Sequence, residues 1–156
     1  MKSTKTQSTA LPAVDVVDTS YLQTLMGYNA RRAALCIIEI FLQRMAVYAL
    51  RPVDFSVLSV IAHNPGVTSR QLCATLGILP PNFVAMLANL EKRELVERMP
   101  HPSDKRSVAL QLTPNGEKLM REAERTAESL ELDASARLSH AERKTLMRLL
   151  QKIYLP

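Results

Sequence analysis

Residues 91–113 read EKRELVERMPHPSDKRSVALQLT. Up to this stretch apolar residues recur at helical spacing. After Leu95 the pattern alternates, so that Val108, Leu110 and Leu112 are expected on one side of a strand and Ala109 and Gln111 on the other. Asp104, Lys105 and Arg106 occupy a turn between two such strands, and the second strand runs into a new helix. A helix end followed by a two-stranded ribbon with a basic tip is the shape of a winged helix. Such a module lays a helix in the major groove of DNA and sets a ribbon beside it. The stretch therefore points to a DNA-binding regulator and away from an enzyme.

The flanking sequence supplies the rest of that fold. Thr68 and Gln71 make a T-x-x-Q capping box, in which the Thr hydroxyl takes an orphan N–H and the Gln side chain reaches back. The short helix they open is closed by Gly77 after Leu76. Pro80-Pro81 open a second helix that buries Phe83, Met86, Leu87 and Leu90, which makes a helix-turn-helix. Upstream, Phe55, Leu58 and Ile61 define a short helix from Pro52 that stops before Asn64-Pro65-Gly66. Ahead of it, Leu22, Leu25, Met26, Ala33, Ile37, Ile40, Phe41 and Met45 recur at three- and four-residue spacing, predicting one long helix over residues 19–50. Downstream, Thr113-Pro114 open a long helix to about residue 132, and Ser139 with Glu142 box the start of a final helix to about residue 154.

The expected fold is mainly α with a small β-wing: a winged helix-turn-helix with N- and C-terminal dimerisation helices. Residues 1–18 are expected to be a flexible arm. Residues 19–50 and 133–156 are assigned to dimerisation, and 51–132 to the DNA-binding lobe including the long linking helix. The two ends are apolar on more faces than one domain covers; Leu146, Leu149, Leu150, Ile153 and Tyr154 close the chain. A two-fold homodimer follows.

Composition agrees with this class. The chain has 156 residues, 47% hydrophobic and 22% charged, enough for one domain with a real core. Only 4% is aromatic and Gly numbers 4, which leans towards helix. The net charge of +5 is mild, and it permits nucleic-acid binding without demanding it. No apolar run has the length of a membrane span, no signal peptide is evident, and cytoplasmic localisation is expected. Cys36 and Cys73 form no CxxC and adjoin no His ligand pair, so no metal and no cofactor are expected.

In the order of its elements, and with LEKRELVERMPHPSDKRSVALQLTPNGE at its centre, the chain resembles the MarR family of bacterial transcriptional regulators over about residues 20–154. The family's wing carries a Leu-Val pair, an Arg two residues on, an Asp-Arg-Arg-like tip, and a Leu-Thr-x-x-Gly opening the next helix. Here these are Leu95-Val96, Arg98, Asp104-Lys105-Arg106, and Leu112-Thr113 with Gly116. Two positions depart from the pattern. The recognition helix opens with Leu79-Pro80-Pro81-Asn82 and carries Ala85 where the family has polar residues, and Glu94 stands where the family favours Gly. Few polar side chains remain to touch base edges, so groove shape and phosphate contacts are expected to carry most of the binding.

At the wing tip, Arg106 is expected to enter the minor groove, Asp104 to hold it within the turn, and Lys105 to meet a phosphate; the bland reading is a solvated turn. Ser69, Arg70 and Gln71 open the first helix of the pair, where N–H groups suit a phosphate or serve ordinary capping. Asn82 and Asn89 can bond bases or phosphates, and Pro80, Pro81 and Val84 can touch thymine methyls or sugars. Arg93 and Arg98 either meet phosphates or pair with Glu94 and Glu97.

A crevice lined by Tyr28, Arg31, Arg32, Phe55 and His63 is the expected effector site, apolar with Arg and suited to an aromatic carboxylate. The GYNARRA stretch resembles family members that answer to aromatic acids or their coenzyme A thioesters. The competing readings are an interhelix salt bridge for the Arg pair and a satisfied helix-end histidine for His63. Cys36, expected to be dulled by apolar burial mid-helix, leaves redox sensing as an alternative. The partners expected are double-stranded DNA bearing a pseudo-palindrome, a second copy of the chain, and a small aromatic acid or its thioester that relieves repression; no membrane is involved. A winged-helix protein-interaction module without DNA binding is the rival from another class. No Ser-His-Asp set or Gly-rich phosphate loop supports an enzyme.

Overall fold

The computed structural model describes residues 16–101, 103 and 107–155. Among them lie helices α1 (Ser20–Gln23), α2 (Met26–Met45), α3 (Pro52–His63), α4 (Ser69–Leu76), α5 (Pro80–Lys92), α6 (Pro114–Ala134) and α7 (His140–Tyr154), with strands β1 (Val67–Thr68), β2 (Val96–Pro100) and β3 (Val108–Leu112). The chain divides into two compact units, and the boundary after Ala34 falls within α2.

In the first unit the single long helix expected over residues 19–50 is broken. α1 ends at Gln23 and α2 starts at Met26. The Thr24 hydroxyl donates to the Tyr21 carbonyl at 2.7 Å, and the Asn29 amide donates to the Gln23 and Leu25 carbonyls at 2.8 Å each. The Asn29 amide thus supplies a donor to the Gln23 carbonyl at the break, while the Leu25 carbonyl also keeps the Asn29 backbone N–H at 3.1 Å. Apolar spacing misses the break because the apolar residues on either side of it keep the helical rhythm.

The second unit holds the core. α2 stops at Met45, passes through a 3-10 turn at Ala46–Tyr48, and leaves Ala49 left-handed at φ 50°. The expected helix is thus shortened at this end too. Phe41 and Met45 pack with Val57, Leu58 and Ile61 of α3, and the cluster continues through Leu72, Phe83, Leu90, Leu110 and Met120. Pro52 sits in the first turn of α3, where its missing N–H costs nothing. Asp54, 4% exposed, takes the Arg51 N–H at 3.2 Å and the Arg51 guanidinium at 2.8 and 2.9 Å. Burial alone would raise the Asp54 pKa, but these bonds, with the charges of Arg51 and Arg93, hold it below the usual carboxylate value.

The sheet has the antiparallel order β1-β3-β2, so the wing rests on a third, two-residue strand that the sequence does not signal. Its register places Ala109 opposite both Thr68 and Met99, whereas Val108 faces Pro100 alone. The unbroken register keeps the alternation of β3, but burial does not follow it: Ala109 is buried and Val108 is 46% exposed, and β1 flanks β3 at Ala109 and not at Val108.

Thr113 caps α6, its hydroxyl accepting from the Gly116 N–H at 3.0 Å. Arg44 pairs with Asp133, and the Tyr48 and Thr126 hydroxyls bond at 3.0 Å, tying the end of α2 and the turn after it to α6. The Ser139–Glu142 capping box opens α7 as expected, yet no residue of α7 is buried. Leu149 and Ile153 are 47% and 64% exposed, and on α2 Leu35 and Leu42 are 42% and 48% exposed. Cys36 is exposed rather than buried, since among the described residues none covers that stretch of α2. Cys73 is half-buried against the core.

Candidate nucleic-acid interface

α4 and α5 cross at 117°, joined by Gly77, Ile78 and Leu79. That is helix-turn-helix geometry. Gly77 makes the corner at φ 64°, where a Cβ would be strained. Leu79 offers no capping side chain to α5, but Pro80 and Pro81 have no N–H to satisfy. The helix is then fixed by its buried face: Phe83, Met86, Leu87 and Leu90, as expected.

The opposite face is turned to solvent. It carries Pro81, Asn82, Val84, Ala85, Ala88, Asn89 and Lys92, all exposed. Lys92 is a cation that sequence reading passed over; its signal is the spacing Pro81, Ala85, Ala88, Lys92, which repeats on one helical stripe.

At the start of α4, Ser69 is half-buried and Arg70 exposed. Gln71 is engaged in the capping box: its side-chain oxygen accepts from the Thr68 N–H at 2.9 Å and hydroxyl at 2.8 Å, which leaves its amide NH2 as the donating end. Ser69, Arg70, Pro80 and Arg98 are brought together, with Cys73, Phe83 and Val84, around one cavity of 630 Å³ between α4, α5 and β2.

The arginines at the end of α5 and in β2 differ. Arg98 holds Glu91 through Nε at 2.5 Å and Nη2 at 3.2 Å, and the carboxylate raises its pKa above the usual guanidinium value. Arg93 reaches away from Glu94 and Glu97 and donates to the Tyr48 and Ala49 carbonyls at 2.8 and 3.0 Å. Neither arginine makes the pair with Glu94 or Glu97 that their proximity in sequence offered; Glu97 accepts from Gln111 at 2.7 Å instead. The reason is topological: Arg93 closes the carbonyl end of the 3-10 turn, which sequence spacing does not bring into view. At the far end of the ribbon the His101 N–H donates to the Ser107 carbonyl at 3.3 Å. Asp104, Lys105 and Arg106 lie outside the described residues.

The residues expected to hold an effector fall in different units. Tyr28, half-buried, and the exposed Arg31 and Arg32 lie on α2 in the first. Phe55 and His63 lie on α3 in the second. Phe55 meets Phe41 edge-on at 5.7 Å between ring centroids. His63 Nε2 stands 3.0 Å from Glu124, which also accepts from the Ser59 hydroxyl at 3.2 Å. Among the described residues no single helix is long and apolar enough to cross a membrane.

Three comparisons bear on this geometry. The family model described as MarR family matches residues 50–107, which span α3, the helix pair and the first arm of the wing. The chain is 31% identical over 130 residues to the putative transcriptional regulatory protein for the hcr operon of Thauera aromatica, covering 83% of this chain and 78% of that protein. Among solved structures it is similar to the transcriptional repressor CouR bound to a 23-mer DNA duplex, with 38% identity, a TM-score of 0.83, and coverage of 88% of this chain and 98% of that one. It is also similar to CouR bound to p-coumaroyl-CoA, with 35% identity, a TM-score of 0.79, and 90% and 99% coverage. With the helix pair, the wing and the full-length likeness in agreement, the chain belongs to the MarR family of winged helix-turn-helix transcriptional regulators.

Proposed function

We propose that this protein is a homodimeric repressor that holds a pseudo-palindromic operator and releases it on binding an aromatic acid or its coenzyme A thioester. The observation that carries this reading is the likeness to CouR, at 38% identity over nearly all of that repressor, which was solved on a DNA duplex. The α5 face and the Arg70 and Arg98 side chains supply a surface suited to a major groove and its phosphates. The wing tip, Asp104, Lys105 and Arg106, is assigned to the minor groove, and Ser69 and Gln71 of α4 with Pro80, Pro81, Asn82 and Asn89 of α5 to the major groove and its phosphates. The uncovered apolar faces of α2 and α7 support dimerisation through residues 19–50 and 133–156, with the lobe between them reading DNA. Two copies then present their α5 helices about one helical turn, ~34 Å, apart.

Tyr28, Arg31, Arg32, Phe55 and His63 are assigned to the effector, the arginines facing its anionic groups. A ligand that fits the state with the wrong α5 spacing lowers operator affinity by its differential affinity for the two states. Such a protein works in the cytoplasm, where the chromosome and coenzyme A thioesters meet. The test is a mobility shift on duplex from upstream of the protein's own gene, with and without p-coumaroyl-CoA. Release by the thioester, lost in Arg31→Ala/Arg32→Ala, supports the reading. Binding that persists at saturating thioester and at saturating free phenolic acids refutes the effector class. Arg106→Ala is expected to weaken the shift strongly, and unchanged affinity would remove the wing tip from the interface.

A further inference from the structure

We infer that α5 reads thymine methyl groups, with Val84 as the principal reader, so that the operator half-site is rich in A·T pairs. The inference rests on the DNA-binding role proposed above. At 100° per residue, the face opposite the buried Phe83 and Leu90 is centred on Pro81, Ala85 and Ala88. Val84 flanks this stripe on one edge and is 65% exposed; Asn82 and Asn89 flank it on the other. A β-branched residue helps neither the helix nor its water-facing surface there, so local folding gives no reason for a valine.

The major groove presents hydrogen-bonding edges at every base pair, and its apolar feature is the thymine C5-methyl. Guanine is matched best by Arg or Lys, and cytosine by a carboxylate. The first two turns of α5 carry none of these. They carry an Asn, which pairs with adenine N6 and N7, and apolar groups, which pair with thymine methyl. Ala85 and Ala88 are short enough to let the helix approach the base edges. Arg70 and Arg98 stand beside Val84 around the same cavity, placed to hold phosphates while α5 lies in the groove. The interface thus divides its work: cations bind the backbone, and carbon reads the sequence.

The probe is a duplex selected by the full-length protein from a random pool, then resynthesised with deoxyuridine in place of thymidine. Removing one buried methyl is expected to weaken binding about fourfold, at the positions that Val84 covers. Val84→Ala, an exposed position with a better helix former, should keep its fold and bind the thymine and uracil duplexes equally. Selected sites without thymine in the half-site, a uracil duplex bound as tightly as its parent, or a Val84→Ala protein that still discriminates would each overturn the inference while salt-dependent binding persists. Absence of salt-dependent duplex binding would instead overturn the DNA-binding role, and the inference with it.

Discussion

Gly116 in the first turn of α6 lies against the backbone of Leu95: a Cβ on Gly116 would stand 2.1 Å from the Leu95 carbonyl oxygen. The same carbonyl accepts from the Thr113 N–H at 3.1 Å, and the Thr113 hydroxyl donates to the Glu94 carbonyl. The end of the recognition helix, the root of the wing and the start of α6 are therefore clamped at one point. This gives a physical cause for the Leu-Thr-x-x-Gly pattern seen in the sequence.

Gly116→Ala should accordingly be costly. The clash is with backbone, which cannot rotate away, so the loss is expected at the upper end of overpacking, about 3 kcal/mol. Urea unfolding at fixed protein concentration measures it; a loss under about 0.5 kcal/mol, the range of an ordinary surface substitution, would show that the junction is loose.

Glu94 offers the opposite case. It sits just past the α5 C-cap at φ 55°, a left-handed conformation in which a side chain is strained. Relief of roughly 1–2 kcal/mol of strain is partly offset by the extra freedom glycine has when unfolded. Glu94→Gly is therefore expected to stabilise the protein by a few tenths to about 1 kcal/mol. A lower melting temperature for this variant would contradict the strain.

Asp54 links stability to pH. Its pKa in the folded protein is depressed, so the stabilisation is complete above the unfolded-state value near ~4 and is lost as pH falls through the folded value. Asp54→Asn is expected to cost about 1–3 kcal/mol at neutral pH through its charge-assisted bonds. The gap between parent and variant should shrink as the pH is lowered below ~4. Chemical unfolding at neutral and acid pH reads this directly, and a constant gap would argue that the carboxylate charge is irrelevant.

Arg98 is held by Glu91, so its charge is partly spent inside the protein. Glu91→Gln should release it towards a phosphate, raise duplex affinity and steepen the salt slope by up to about 0.9. Arg98→Ala should flatten the slope by the remainder of that single-contact value, so that the two shifts together amount to about 0.9. Identical slopes in all three proteins would place this pair outside the DNA contact.

Much of the architecture was legible because it is written locally. The capping pairs Thr68–Gln71 and Ser139–Glu142, the Thr113 N-cap and the Pro80-Pro81 start all act within one helical turn, and each opens a helix where expected. What sequence missed is long-range or carried by polar side chains. The Thr24–Tyr21 and Asn29–Gln23 bonds at the break in the first helix leave its apolar rhythm intact. β1 is too short to signal itself and exists only because β3 lies beside it. Arg93 turns from its sequence neighbours to carbonyls 44 and 45 residues away. On the interface, the outward stripe of α5 was readable from spacing, whereas the gathering of Arg70, Cys73 and Arg98 around one cavity needed the crossing of α4 and α5.

The central claim is that this winged helix binds DNA specifically through cations on phosphates. It is tested most directly by measuring affinity for duplex from upstream of the protein's own gene across a salt titration, with an unrelated duplex alongside. For six or more phosphate contacts the expected result is a loss of about a thousandfold or more in affinity between roughly 50 and 200 mM salt, with the cognate duplex bound more tightly throughout. Affinity that is insensitive to salt, or equal for both duplexes, would contradict it.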